Sequence, residues 1–122
     1  MAETMIFQPK PIEGMIKVPA SADSGKLDQE VKTFCRGQFA IGSASYYQVA
    51  GEIPWLAISK SIQNQMAAKS IERTMFDWYE PGIDFIEIYP QGKNGGAFAL
   101  AMPKESNLGA DKLIGFYILT SP

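Results

Sequence analysis

Four carboxylates crowd one short stretch of the chain: Asp77, Glu80, Asp84 and Glu87. Paired carboxylates can split glycosidic bonds or hold a magnesium or calcium ion. Asp84 and Glu87, however, lie three apart, and on a strand that spacing sends them to opposite faces. The glycine-bearing spacing of a calcium loop is missing as well. The cluster therefore reads as a helix end followed by a solvated strand start. Cys35 is the single cysteine and stands beside Arg36, a cation able to lower a thiol pKa. The chain contains no histidine, so the usual base for activating such a thiol is missing. A lone thiol of this kind more often packs as a small apolar residue. Gly92-Lys93-Asn94-Gly95-Gly96 sets a lysine among glycines, as phosphate cradles do. Those cradles open a helix, whereas this loop joins two strand-like segments and reads as a hairpin tip.

The absence of histidine excludes Ser-His-Asp and Cys-His nucleophile systems, histidine-bearing zinc sites and facial-triad iron sites. One cysteine allows neither an internal disulfide nor a four-cysteine cluster. No catalytic residue, metal ligand set or cofactor is assigned on this reading. Carboxylate, lysine and tyrosine chemistry is all that the composition keeps open.

The elements that must position these residues belong to one domain spanning residues 1–122. Hydrophobic residues make up 46% of the chain and charged residues 20%, a balance that buries a core. Eleven basic residues against 13 acidic ones leave a net charge of −2, so there is no long-range attraction for nucleic acid or an anionic membrane. Met1 to Lys10 lacks the basic start and apolar run of a signal peptide, and no apolar stretch approaches the ~20 residues of a membrane span. A cytoplasmic or otherwise intracellular location is the expectation, with no membrane partner.

Pro9 and Pro11 separate two short strand candidates, Glu3–Gln8 and Gly14–Val18. Pro19 to Gln29, rich in Ala, Ser, Asp and Gly, reads as a loop. Val31–Ile41 and Tyr46–Ala50 read as strands turned at Gly42-Ser43. Lys32 and Arg36 then alternate around Phe34 as a short basic row, a hint of nucleic-acid contact that charged residues on a solvated strand explain equally well. Ala67, Ile71, Met75 and Trp78 recur at helical spacing, which predicts one main helix over about residues 61–79, ended by Pro81-Gly82. Ile58, Ile62 and Met66 keep the same spacing half a turn away. The helix therefore either follows a short strand at Trp55–Ile58 or buries its two halves on different sides.

The last third predicts three strands, Ile83–Tyr89, Ala97–Met102 and Leu113–Leu119, as an antiparallel meander with a turn at Asn94-Gly95. The fold class is α+β: antiparallel sheet, one main helix, then the meander. Reading with period two puts Ile86 and Ile88 with Phe98, Leu100, Met102, Ile114, Phe116 and Ile118 on a core face. The other face then carries Phe85, Glu87 and Tyr89 beside an alanine floor, Ala97, Ala99 and Ala101, with Tyr117 as a further wall. The chain's own helix, a second subunit or a flat ligand stacked between Phe85, Tyr89 and Tyr117 would each cover such a face. The expectation drawn from this is a non-enzymatic structural or interaction protein, a homo-oligomer or the partner of another protein. It would associate through this face or an open sheet edge. The alternatives are a module binding a small apolar or aromatic molecule and, with less support, a single-stranded nucleic-acid binder.

Overall fold

A computed structural model of the chain describes residues 6–35, 37–72, 75–77, 83–91, 96–103 and 111–121. In chain order its elements are β1 (Ile16–Val18), α1 (Ala22–Cys35), β2 (Ala40–Val49), α2 (Trp55–Ala67), β3 (Met75–Asp77), β4 (Ile83–Pro90), β5 (Ala97–Pro103) and β6 (Lys112–Thr120). The strands form one six-stranded sheet in the order β1-β2-β6-β5-β4-β3, every neighbouring pair antiparallel. The α+β class and the C-terminal meander agree with the sequence reading. Where one main helix over about residues 61–79 is expected, two stand among the described residues.

The first helix, α1, occupies the segment read as a loop and the start of a strand. Its residues are mostly polar, yet Leu27, Val31 and Cys35 recur every four positions and are buried, with Ser24 one turn before them. Its start is fixed by a reciprocal cap. The Ser24 amide donates to Ser21 Oγ at 3.2 Å and the Ser21 amide donates to Ser24 Oγ at 2.7 Å, so two otherwise orphaned N–H groups are satisfied. Lys32 lies in the last turn of this helix and is exposed. Lys32 therefore stands on a helix and not on the expected strand, and Arg36, its companion in the expected basic row, lies outside the described residues.

The second helix, α2, begins six residues earlier than expected and ends well before residue 79. Trp55, Ile58, Ser59, Ile62 and Met66 form its buried side, the stripe that had looked out of phase. The helix stops in a Schellman turn. Ile71 N–H donates to the Met66 carbonyl and Ser70 N–H to the Ala67 carbonyl, both at 2.9 Å, with Ser70 at φ 60°. That left-handed residue turns the chain away, and Met75–Asp77 becomes an edge strand instead of a last helical turn. Trp78, Glu80 and the Pro81-Gly82 stop lie outside the described residues, as does Asn94-Gly95.

The two helices cover opposite faces of the sheet. Leu27, Val31 and Cys35 of α1 join Tyr46, Ile86, Ile88, Ala97, Ala99, Ala101, Tyr117 and Leu119 in one cluster. Trp55, Ile58, Ile62 and Met66 of α2 join Tyr47, Val49, Tyr89, Phe98, Leu100, Met102, Ile114 and Phe116 in the other. Across the α2 side runs a chain of rings, one from each of four adjacent strands. Tyr47 meets Phe116 at 4.8 Å, Phe116 meets Phe98 edge-on at 5.2 Å, and Phe98 meets Tyr89 at 6.4 Å. Gly42 and Ser43 are not a turn. They lie inside β2, where the register against β6 shifts between Ile41 and Ser43. Gly42 passes so close to β6 that an added Cβ would lie 2.8 Å from Thr120 Cγ2. Among the described residues, no helix is long and apolar enough to cross a membrane.

Candidate functional site

The face assembled from the sequence does not exist as one surface. Ladder pairing sets Ile86 opposite Ala101, Glu87 opposite Leu100, Ile88 opposite Ala99 and Tyr89 opposite Phe98. Opposed residues share a face, so Glu87 and Tyr89 lie on the α2 side, while Ala97, Ala99, Ala101 and Tyr117 lie on the α1 side. Phe85 pairs with Met102, and its backbone follows the same register. No flat ligand can stack between Tyr89 and Tyr117, which are on opposite sides of the sheet and at most 1% exposed. The alanine floor is closed by α1, and an added Cβ at neighbouring Gly115 would lie 3.0 Å from Leu27 Cδ2. A helix of the chain covers that floor, but it is α1 and not the helix expected over about residues 61–79, which packs on the other face.

Each helix–sheet interface instead holds a hydroxyl–carboxylate cluster. Under α1, Asp28 accepts from Tyr46 OH at 2.9 Å on both carboxylate oxygens and from Tyr117 OH at 2.8 Å on Oδ1. The two rings meet edge to face at 6.3 Å. Gly115 makes this possible, since an added Cβ would fall 2.5 Å from Tyr117 Cε1 and 2.9 Å from its hydroxyl. Burial, then the Asp28 carboxylate, pushes the Tyr46 phenol up to about 12, and the same causes raise Tyr117 further. Both phenols are therefore protonated donors at neutral pH, not bases or nucleophiles. The cluster ties α1 to β2 and β6.

Under α2, the fully buried Glu87 accepts from Ser59 Oγ on Oε2 and from Tyr89 OH on Oε1, both at 2.7 Å. Gln63 Nε2 in turn donates to Ser59 Oγ at 2.8 Å, and Glu87 and Tyr89 engage further partners as well. Among the described residues, every buried side-chain nitrogen and oxygen has a hydrogen-bond partner, and no group of three or more His, Cys, Asp or Glu residues is placed to hold a metal ion. Of the four carboxylates at the helix-to-strand turn, Glu87 is buried in this network. Glu80 and the side chains of Asp77 and Asp84 lie outside what is described. Cys35 is 1% exposed, and burial pushes its thiol up to about 11, so the inert reading of that residue fits its surroundings.

Among the described residues, part of the outer edge of β2 is unpaired. β1 pairs with β2 only at Tyr46, Tyr47 and Gln48, because Pro19, next after Val18, has no N–H to continue the ladder. On their β6 side, residues from Ala40 to Ser45 are paired, with the register shift noted above. On their outer side no described strand pairs with them. Ala40, Gly42 and Ser43 are exposed, and Ile41, Ala44 and Ser45 are partly buried. The edge was named in the sequence reading only in general terms. The signal that locates it is Pro19 with its uncharged Ala-Ile-Gly-Ser-Ala-Ser partner. Comparison with protein-family models, curated proteins and solved structures finds no match, so the arrangement of these residues is the basis for a functional reading.

Proposed function

We propose that the chain is a non-enzymatic interaction protein that associates with itself, and that the contact is main-chain pairing along β2 at residues 40–45. The observation that carries this reading is the open outer edge of β2. Exposed edges are normally blunted by lysine, proline or inward charges, and Ala40 to Ser45 contains none of these. The bulge-like shift at Gly42 is the blunting feature on this stretch. It keeps the pairing short, so the association is reversible and concentration-dependent. A strand edge can pair with its own copy about a twofold axis, giving antiparallel ladders in which each residue meets its symmetry mate or a near neighbour. Small side chains along the stretch let two such edges approach without steric cost.

The protonation of Tyr46 and Tyr117 and the burial of Glu87 support a structural use of the polar clusters. Native mass spectrometry across a concentration series tests the reading. A dimer growing with concentration is expected, reduced to monomer by Ser43→Lys, which sets like charges against each other across the axis while the side chain stays in water. A chain that is monomeric throughout the series, or a dimer indifferent to Ser43→Lys, refutes it.

A further inference from the structure

Residues 6–12 precede β1 and form no strand, yet they are bound: Ile6, Phe7 and Ile12 pack against the α2-side core. Two glutamine side chains grip their backbone. Gln91, after β4, accepts from the Phe7 N–H at 2.7 Å, and its Nε2 donates to the Phe7 carbonyl at 2.7 Å. Gln65, on α2, accepts from the Lys10 N–H at 2.8 Å and donates to the Lys10 carbonyl at 2.9 Å. A primary amide bonded in this way copies the donor–acceptor pair of a neighbouring strand and so reads backbone, not side chain.

The grips are three residues apart, with buried Pro9 between them and Pro11 following. Each proline fixes its own φ and drives the residue before it into the extended region. Three residues is the repeat of a polyproline II helix, so both grips meet the same side of such a segment, about 9 Å apart. The Lys69 ammonium stands 5.4 Å from the Phe7 ring centre. Gly96 leaves the space that Ile6 Cδ1 fills. A preformed extended backbone is what grooves for proline-bearing peptides exploit; here the backbone is held by two amide grips and the aromatic ring, Phe7, is carried by the segment itself.

We propose that this groove is a receptor for an extended, proline-bearing peptide, filled here by residues 6–12 of the same chain and able to accept residues 6–12 of a second copy. The contacts transfer unchanged, because the second copy brings the same Phe7, Pro9 and Lys10. The hinge is also present. Residues 12–15 form a turn in which Met15 N–H donates to the Ile12 carbonyl at 3.2 Å, with Gly14 at φ 96°. Opening that turn points the segment away from its own subunit, as in domain swapping. Residues 40–45 take no part, and exchange requires the segment to leave its own groove first, so it is sought in chains refolded together and not in the native concentration series.

The test uses the full chain with Cys35→Ala throughout. One version carries Ile6→Cys and the other Gly96→Cys, whose added side chain also displaces its own Ile6. Unfolded together, refolded and oxidised, the two should give a disulfide-linked heterodimer as the main product. Adding Gln65→Ala and Gln91→Ala to the Gly96→Cys chain should reduce it at least tenfold. Absence of the heterodimer from chains with native circular dichroism, or a yield indifferent to the glutamines, overturns the proposal. A second measurement does not depend on those variants folding. A fluorescent peptide of residues 6–12 is titrated with the full chain carrying Phe7→Ala, which loosens its own segment. Anisotropy should rise, with at least tenfold weaker binding when both glutamines are replaced by alanine, and no rise overturns the proposal.

Discussion

Replacing Asp28 with alanine removes the carboxylate that two tyrosine hydroxyls share, and the two hydroxyls have different fates. Tyr117 is 0% exposed, so its O–H is left without a partner and without water. A buried donor stranded in this way costs about 1–3 kcal/mol. Tyr46 is 8% exposed and can turn its hydroxyl toward solvent, so its loss is nearer ~0.5–1 kcal/mol. Together these give about 1.5–4 kcal/mol. For a 122-residue chain that lowers the melting temperature by roughly 10 °C. Urea unfolding followed by circular dichroism measures the change, and Tyr117→Phe in the same background separates its sources. The phenylalanine removes the stranded hydroxyl, so the double variant should be more stable than the sum of the single changes by ~1 kcal/mol or more. An Asp28→Ala chain within ~0.5 kcal/mol of the parent, or a double variant that is simply additive, refutes the reasoning. The same cluster has a pH signature. The Tyr46 phenol is raised from 10.0 to about 12, and a raised pKa means that the folded state favours the protonated form. Its contribution is complete below pH 10 and is lost as pH rises toward 12, so stability should fall across that window and fall less in a Tyr46→Phe chain.

Three further outcomes follow from the packing. Ala99→Lys would thrust a charge beneath α1 at a fully buried site, which should cost several kcal/mol and in the limit prevent folding, as read by denaturant unfolding; an unchanged midpoint would mean that α1 does not cover the alanines. Ser70→Gly should stabilise the chain by about 0.5 kcal/mol, since relief of ~1–2 kcal/mol of left-handed strain outweighs the added freedom of the unfolded chain; a loss of stability in thermal melts would contradict the Schellman assignment. The Cys35 thiol should react with a thiol reagent only at the rate of global unfolding; rapid modification of the native protein at neutral pH would contradict its placement.

The meander was legible because each strand is a compact apolar run bounded by turn residues. What the sequence concealed was phase. With a helix on each side of the sheet, both faces of β4 and β5 are apolar, so alternation no longer says which side is inward. Matching bulky with bulky residues set Ile86 and Ile88 beside Phe98 and Leu100. The protein instead packs them beside Ala99 and Ala101, leaving room for α1. A slip of one residue moves a whole strand's side chains to the other face, and it was enough to bring Tyr89 and Tyr117 falsely together. α1 was missed for a different reason. Leu27, Val31 and Cys35 are three apolar residues among polar ones, and Gly25 and the serines resemble a loop until the Ser21–Ser24 cap is recognised. The buried stripe of α2 competes in the sequence with Ala67, Ile71, Met75 and Trp78, a run at the same helical spacing that the left-handed Ser70 interrupts.

The central place of β6 has a consequence for how the protein is made. β6 joins β2, about seventy residues earlier, to β5. Until residues 112–120 are available, β2 and β5 each present a bare edge where β6 will lie, and the sheet stays in two unconnected parts. Closure of the whole sheet therefore waits for residues 112–120. A chain stalled before residue 112 would be a natural client for chaperones and proteases, with its aggregation risk concentrated in the apolar β5 edge.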